Sequence, residues 1–196
     1  MKKSLLAFAC ATLLAGCISS AKRTGVNWTV SMDRTFALDA EEYGGVAIKG
    51  VVKLLHLAVR APYDTRQLVV LRADGSIAFD AFNTFAAAPA QLLKGIALDS
   101  LERSQRFSRV VPANSSARTD YTVEVEVETL ALDCRKDSRR DAVVALTLTL
   151  LKSRDVVASS HGEAKIPANG ADYSAAFSRA FGDAFARALA GIAGDE

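Results

Sequence analysis

The sequence predicts an α+β domain: one mostly antiparallel β-sheet with two main helices packed on it. Three observations lead there. Several segments alternate apolar and polar residues with the period of a half-buried strand, as in the run from Val123 to Val127. Two others, beginning at Pro89 and Asp172, carry apolar residues at helical spacing. Their order is strand-rich, helix, strand-rich, helix, which puts helices on one face of a meander, with no internal repeat of the solenoid kind. The 196 residues suffice for one domain with a sizeable core and are too few for two ordinary ones. Half of them are hydrophobic and 23% are charged, with four prolines, a composition that excludes a disordered or collagen-like chain.

The first element precedes that domain. Lys2 and Lys3 are followed by an apolar run from Leu5 to Leu14, then Ala15, Gly16 and Cys17. This is the layout of an export signal. Such a run of ten residues in a helix reaches about 15 Å, half of a hydrocarbon core, so it is a signal and not a span. Leu14-Ala15-Gly16-Cys17 resembles the lipobox of bacterial lipoproteins. The resemblance implies cleavage between Gly16 and Cys17, a diacylglyceryl thioether on the Cys17 sulfur, and acylation of the new amine. Each buried methylene contributes about 0.8 kcal/mol and one chain alone binds marginally, so several chains on one residue give a stable anchor. Ile18 follows the lipid-bearing cysteine. In enteric-type sorting an aspartate there retains a lipoprotein at the inner membrane, so Ile18 points to the outer membrane and a periplasm-facing domain. The expected layout is a signal peptide over 1–16, a lipidated tether over 17–32 and the α+β domain over 33–193.

Residues 18 to 31 are polar and lack sustained periodicity, which makes them a tether. Its Trp28 either docks on the domain or sits at the membrane interface. Arg34 to Leu38 reads as a short strand and Val46 to Val59 as a longer one, rich in valine, leucine and isoleucine. Leu68 to Arg72 and Ser76 to Asp80 flank Ala73-Asp74-Gly75, which has hairpin turn chemistry. Pro89 suits the first turn of a helix, where its missing N–H is no loss, and Leu92, Leu93, Ile96, Ala97 and Leu101 form its buried stripe. Phe107 to Val111 is a short strand ended by Pro112. Tyr121 to Thr129 alternates valine and glutamate, Val143 to Leu151 alternates again, and Val156 to Lys165 completes a meander. The last helix runs from Asp172 to Ile192, with Tyr173, Phe177, Phe181, Phe185 and Leu189 at every fourth position. That stripe is either core against a twisted sheet or a greasy surface for a lipid chain or partner.

Function has few handles in these residues. Removal of Lys2 and Lys3 with the signal leaves 22 basic against 22 acidic residues. A neutral chain lacks the concentrated basic face that nucleic acid requires, so no nucleic acid is expected. Only His56 and His161 are available as imidazoles, and no nucleophile, metal or phosphate motif accompanies them. Glu124, Glu126 and Glu128 stand about 6.5–7 Å apart along a strand and read as a solvated face. The expectation is a non-enzyme without catalytic residues, cofactor or metal. Cys10 leaves with the signal and Cys17 is lipidated, so Cys134 has no partner for an internal disulfide and reads as a half-buried strand-end residue. One charge cluster remains: Arg135, Lys136, Arg139 and Arg140, interleaved with Asp133, Asp137 and Asp141, in a loop joining two strands. It is either a solvated hairpin tip or a contact for a partner or lipid headgroups.

Several stretches in order carry a family likeness. They are Gln67 to Asp80, then Asn83 to Leu93 with Phe85 ahead of Ala-x-x-Pro89, Phe107-Ser-Arg-Val110, Asp120-Tyr121, and Asp172-Tyr173 opening the last helix. This pattern resembles the auxiliary lipoproteins of ABC-type lipid-transport systems, the PqiC-like group. It covers roughly residues 55 to 192, with Phe85 where the group usually has tryptophan. The resemblance implies a periplasm-facing lipoprotein serving an MCE-type intermembrane lipid transport system, with an MCE-domain protein and an ABC permease complex as partners. It brings no catalytic residues. Phospholipid as a ligand and a homo-oligomer built through exposed sheet edges fit the same picture. The alternative function is an envelope-assembly adaptor for lipopolysaccharide or outer-membrane machinery, and after it a lipid-anchored envelope enzyme.

Overall fold

The computed structural model describes residues 28–32, 47–136, 139–168 and 173–192. The signal peptide, Cys17, most of the tether and the expected strand at Arg34 to Leu38 lie outside the described residues.

The elements run β1 (Trp28–Val30), β2 (Ile48–Val59), β3 (Gln67–Arg72), β4 (Ile77–Phe85), α1 (Pro89–Arg103), β5 (Phe107–Pro112), β6 (Tyr121–Lys136), β7 (Arg139–Lys152), β8 (Asp155–Pro167) and α2 (Tyr173–Ala190). The strands form a single eight-stranded sheet. Both helices share one hydrophobic core with its inner face, α2 over β7 and β8, and α1 against β2 and β5. The expected class, a sheet with two helices packed on it, is the class observed. Trp28, within the expected tether, instead opens β1, which pairs in parallel with β4 over Asn83–Phe85.

The long ladders β6–β7 and β7–β8 are antiparallel, as is β3–β4. Four shorter pairings are parallel, and they arrange the sheet around β6. One side of β6 is taken by β7 along its whole length. The other side is shared end to end by β2, opposite Tyr121–Val127, and β3, opposite Leu132–Cys134. The sheet therefore forks there. One arm continues to β5, and the other to β4 and β1.

Strand β6 also changes phase. Val123, Val125 and Val127 point into the core, then Leu130 and Leu132 do. The register against β7 slips between Val127 and Thr129, so a bulge at Glu128 moves the inward set from odd to even positions. The alternation legible in the sequence breaks there, and the strand continues to Lys136. A larger slip between β3 and β4 carries β4 beyond Asp80 to Phe85. There Asp80 folds back to accept hydrogen bonds from the amides of Phe82 (2.7 Å) and Asn83 (3.0 Å).

The aromatic stripe of α2 is core. Phe177, Phe181 and Phe185 are fully buried, and Phe177 meets Phe85 edge-on at 5.7 Å between ring centroids. The adjacent small-residue stripe, Ala176, Ala180, Ala184 and Ala188, is buried too, which lets α2 approach the sheet closely. Gly162 of β8 completes that fit: a Cβ there would lie 1.9 Å from the Ala184 carbonyl oxygen. The end of α2 is held by Arg106, buried just before β5, which donates to the carbonyls of Leu189 and Ile192. A guanidinium at a helix C-terminus satisfies orphan acceptors and opposes the dipole.

Candidate functional site on the outward sheet face

Among the described residues no helix covers the sheet's other face, and its two halves differ. Over the first half of β6 it is polar. Glu126 holds Arg60 through both carboxylate oxygens, at 3.2 Å to Nε and 2.9 Å to Nη2. Glu128 accepts from the Thr147 hydroxyl at 2.6 Å and stands 3.8 Å from His161 Nδ1. His56 is exposed on β2 opposite Glu124. Among the described residues no group of three or more His, Cys, Asp or Glu is placed to hold a metal ion. No described helix is long and apolar enough to cross a membrane.

The second half is different. Past the Glu128 bulge the pleat brings Ile77, Leu71, Asp133 and Asp141 into one cross-strand row on the outward face. Two residues inward along the strands, Phe79 stands opposite Val69, and Ala131 opposite Val143. Val69, Ala131 and Val143 are buried, whereas Ile77 and Phe79 remain 47% and 48% exposed. Phe82, in the Asp80 slip, is exposed to a similar degree. The Arg72 to Ile77 turn caps this end: Gly75 takes φ +80°, which suits glycine, and Asp74 Oδ1 accepts from the Ser76 amide at 2.9 Å.

The charge cluster is placed here, but not as a loop. Arg135 and Lys136 end β6, and Arg139 and Arg140 begin β7, so the two strands pair almost to the tip. Arg135 donates to Asp133 from Nε (2.8 Å) and Nη2 (2.6 Å). Arg139 Nε donates to Asp141 at 2.7 Å. In each pair the guanidinium is about half-exposed and the carboxylate only 14% exposed, so the cations lie outermost. The bonded Arg135 guanidinium holds the Asp133 carboxyl down to about 2, against the pull of burial. With Lys136 and Lys165 these groups line a small depression of about 180 Å³.

Arg140 does not join them. The pleat turns it to the helix side, where Nη1 donates to the Tyr173 hydroxyl at 3.1 Å, and that bond raises its pKa. Cys134 likewise sits partly buried against the core, and burial raises its thiol. Burial alone would raise the nearby Asp80 carboxyl, but the bonds from Asn83 Nδ2 and the two amides outweigh it and lower it. Sequence reading thus grouped Arg135, Lys136, Arg139 and Arg140, and missed Ile77, Phe79 and Phe82. The signal for these three was the spacing Phe79, Phe82, Phe85, which fits no continuous period-two strand. The lipid-bearing Cys17 lies outside the described residues.

Among solved structures the chain is similar to protein XCC0632 from Xanthomonas campestris, at TM-score 0.62 and 21% identity over 74% of this chain and 84% of that one. A second, an uncharacterized protein, matches at TM-score 0.53 and 14% identity over 74% and 90%. The PelC dodecamer from Paraburkholderia phytofirmans matches at TM-score 0.44 and 15% identity over 76% and 91%. The first two share the fold with this chain. No curated protein matches it. The family described as ABC-type transport auxiliary lipoprotein component matches residues 37–193, most of the chain, and the protein belongs to that family.

Proposed function

We propose that this protein is the non-catalytic docking component of an MCE-type intermembrane lipid transport system, anchored at the outer membrane through acyl chains on Cys17 and facing the periplasm. The observation that carries the reading is the family match over residues 37–193, which makes it a transport auxiliary. The Leu14–Cys17 lipobox supports the anchor, and Ile18 supports the outer membrane. Its partners are an MCE-domain protein and an ABC permease complex, with phospholipid as the cargo that passes along their apolar path. Copies of the chain assemble through free sheet edges.

The test is affinity purification of the lipidated protein from membranes, with mass spectrometry of the proteins and lipids that accompany it. An MCE-domain protein in the eluate, lost on replacing Cys17, is the expected result. Outer-membrane assembly factors without any MCE protein overturn it in favour of an envelope-assembly adaptor.

A further inference from the structure

We propose that the outward face at the β4 and β6–β7 end of the sheet docks on the phospholipid bilayer, with Ile77, Phe79 and Phe82 in the interface and Arg135 and Arg139 against the headgroup phosphates. This rests on the anchoring role of Cys17 given above. Three observations carry it.

The first is exposure. Among the described residues Ile77, Phe79 and Phe82 form the largest group of exposed large hydrophobic side chains on one element, all three on β4. Phenylalanine and large aliphatic side chains on a membrane-facing surface bury about 5–10 Å into the boundary between headgroups and acyl chains. The second is the charge next to them. Asp133 and Asp141 lie beneath the guanidinium groups they bind, so the outermost groups across Leu71 from Ile77 are cationic. Guanidinium N–H groups not used by the carboxylates suit phosphate oxygens.

The third is where the anchored chain joins the sheet. Trp28 pairs with Asn83, the residue after Phe82, and β1 then runs parallel to β4, away from Phe79 and Ile77. The first described residue after Cys17 therefore stands at the patch end of the β1–β4 pairing. Cys17 and Trp28 are eleven residues apart, a reach of at most about 38 Å. That length would allow either end of the sheet to approach the bilayer, and the direction of β1 selects this one.

The test uses the full lipidated chain in vesicles of phosphatidylethanolamine and phosphatidylglycerol brominated at shallow acyl carbons. Trp28→Phe removes the only tryptophan. Phe79→Trp then reports on the patch, and Val156→Trp on an exposed position at the opposite end of the sheet. Interfacial side chains reach about 5–10 Å into the boundary, so Phe79→Trp is expected to lose roughly half its emission or more, and Val156→Trp little. Equal quenching at the two positions overturns the proposal. So does a Phe79→Trp emission that shifts to the blue with protein concentration and ignores bromine, which assigns the patch to a second copy. Mass spectrometry of the Cys17 peptide separates the failures. Without acyl groups the anchor falls and the docking with it, whereas with acyl groups and no selective quenching only the docking falls.

Discussion

Arg106 holds the end of α2 with a charge that is almost fully buried, donating to the carbonyl of Leu189, which also accepts from the Ile192 amide, and to the carbonyl of Ile192. Arg106→Met keeps the apolar stem but removes both guanidinium donors and takes that partner from the Ile192 carbonyl. The expected loss is about 3 kcal/mol, which in a domain of this size lowers Tm by roughly 6–12 °C in a calorimetric scan. Asp133 gives a pH dependence of known sign. Its carboxyl titrates near 2, below the ordinary 3.8, because Arg135 stabilises the charged form. The stability it adds is therefore fully present above about pH 4 and is lost as pH falls through about 2. Urea midpoints measured across that range should fall less steeply for Asp133→Asn than for the parent chain. At this scale adjacency in sequence was a poor guide. Arg139 and Arg140 are neighbours, yet the pleat sends one to the outward face and the other to Tyr173. No local pattern marks which member of such a pair faces the core.

Helix α2 and strand β8 fit through the absence of a side chain. Gly162→Ala would force the new Cβ against the backbone of α2, which cannot yield as a side chain would. A loss of about 3 kcal/mol follows from such overpacking. Phe181→Ala, in the middle of the buried stripe, should cost about 3–5 kcal/mol through the cavity it leaves. Chemical denaturation checks both. The helices were legible because a stripe at helical spacing survives unaltered from sequence to structure. The Pro89 start is likewise local chemistry, since α1 begins at that residue with no side-chain cap. Strand β6 was legible only to Thr129, because the Glu128 bulge inverts the pattern by which a strand is recognised. β4 was cut short at Asp80 for a related reason: the slip there replaces alternation with local bonds to the Asp80 carboxylate. Bulges are tertiary features read in sequence only as a loss of signal.

Across the whole molecule, contacts concentrate on β6, which is paired on both sides through its first half and again at Leu132–Cys134. Hydrogen exchange should therefore rank the amides of Val123 to Val127 among the slowest, opening only with global unfolding. The amides of β1, held by three register pairs, should exchange fastest among the strands. A β1 that exchanged as slowly as β6 would contradict that ranking. The direction of the strands was beyond sequence reading for a topological reason. Whether β2 and β3 lie side by side or end to end depends on what fills the other edge of β6, and no residue of β2 or β3 records it. The end-to-end arrangement has a consequence for assembly. An unbranched open sheet has two outer margins, and a head-to-tail ring of copies uses both. Here the fork gives the described sheet three: β1, β5 and β8 each pair with one strand only. A copy joined to two neighbours by strand addition thus keeps a valence of one in hand, enough to take a strand from a different protein without opening the ring.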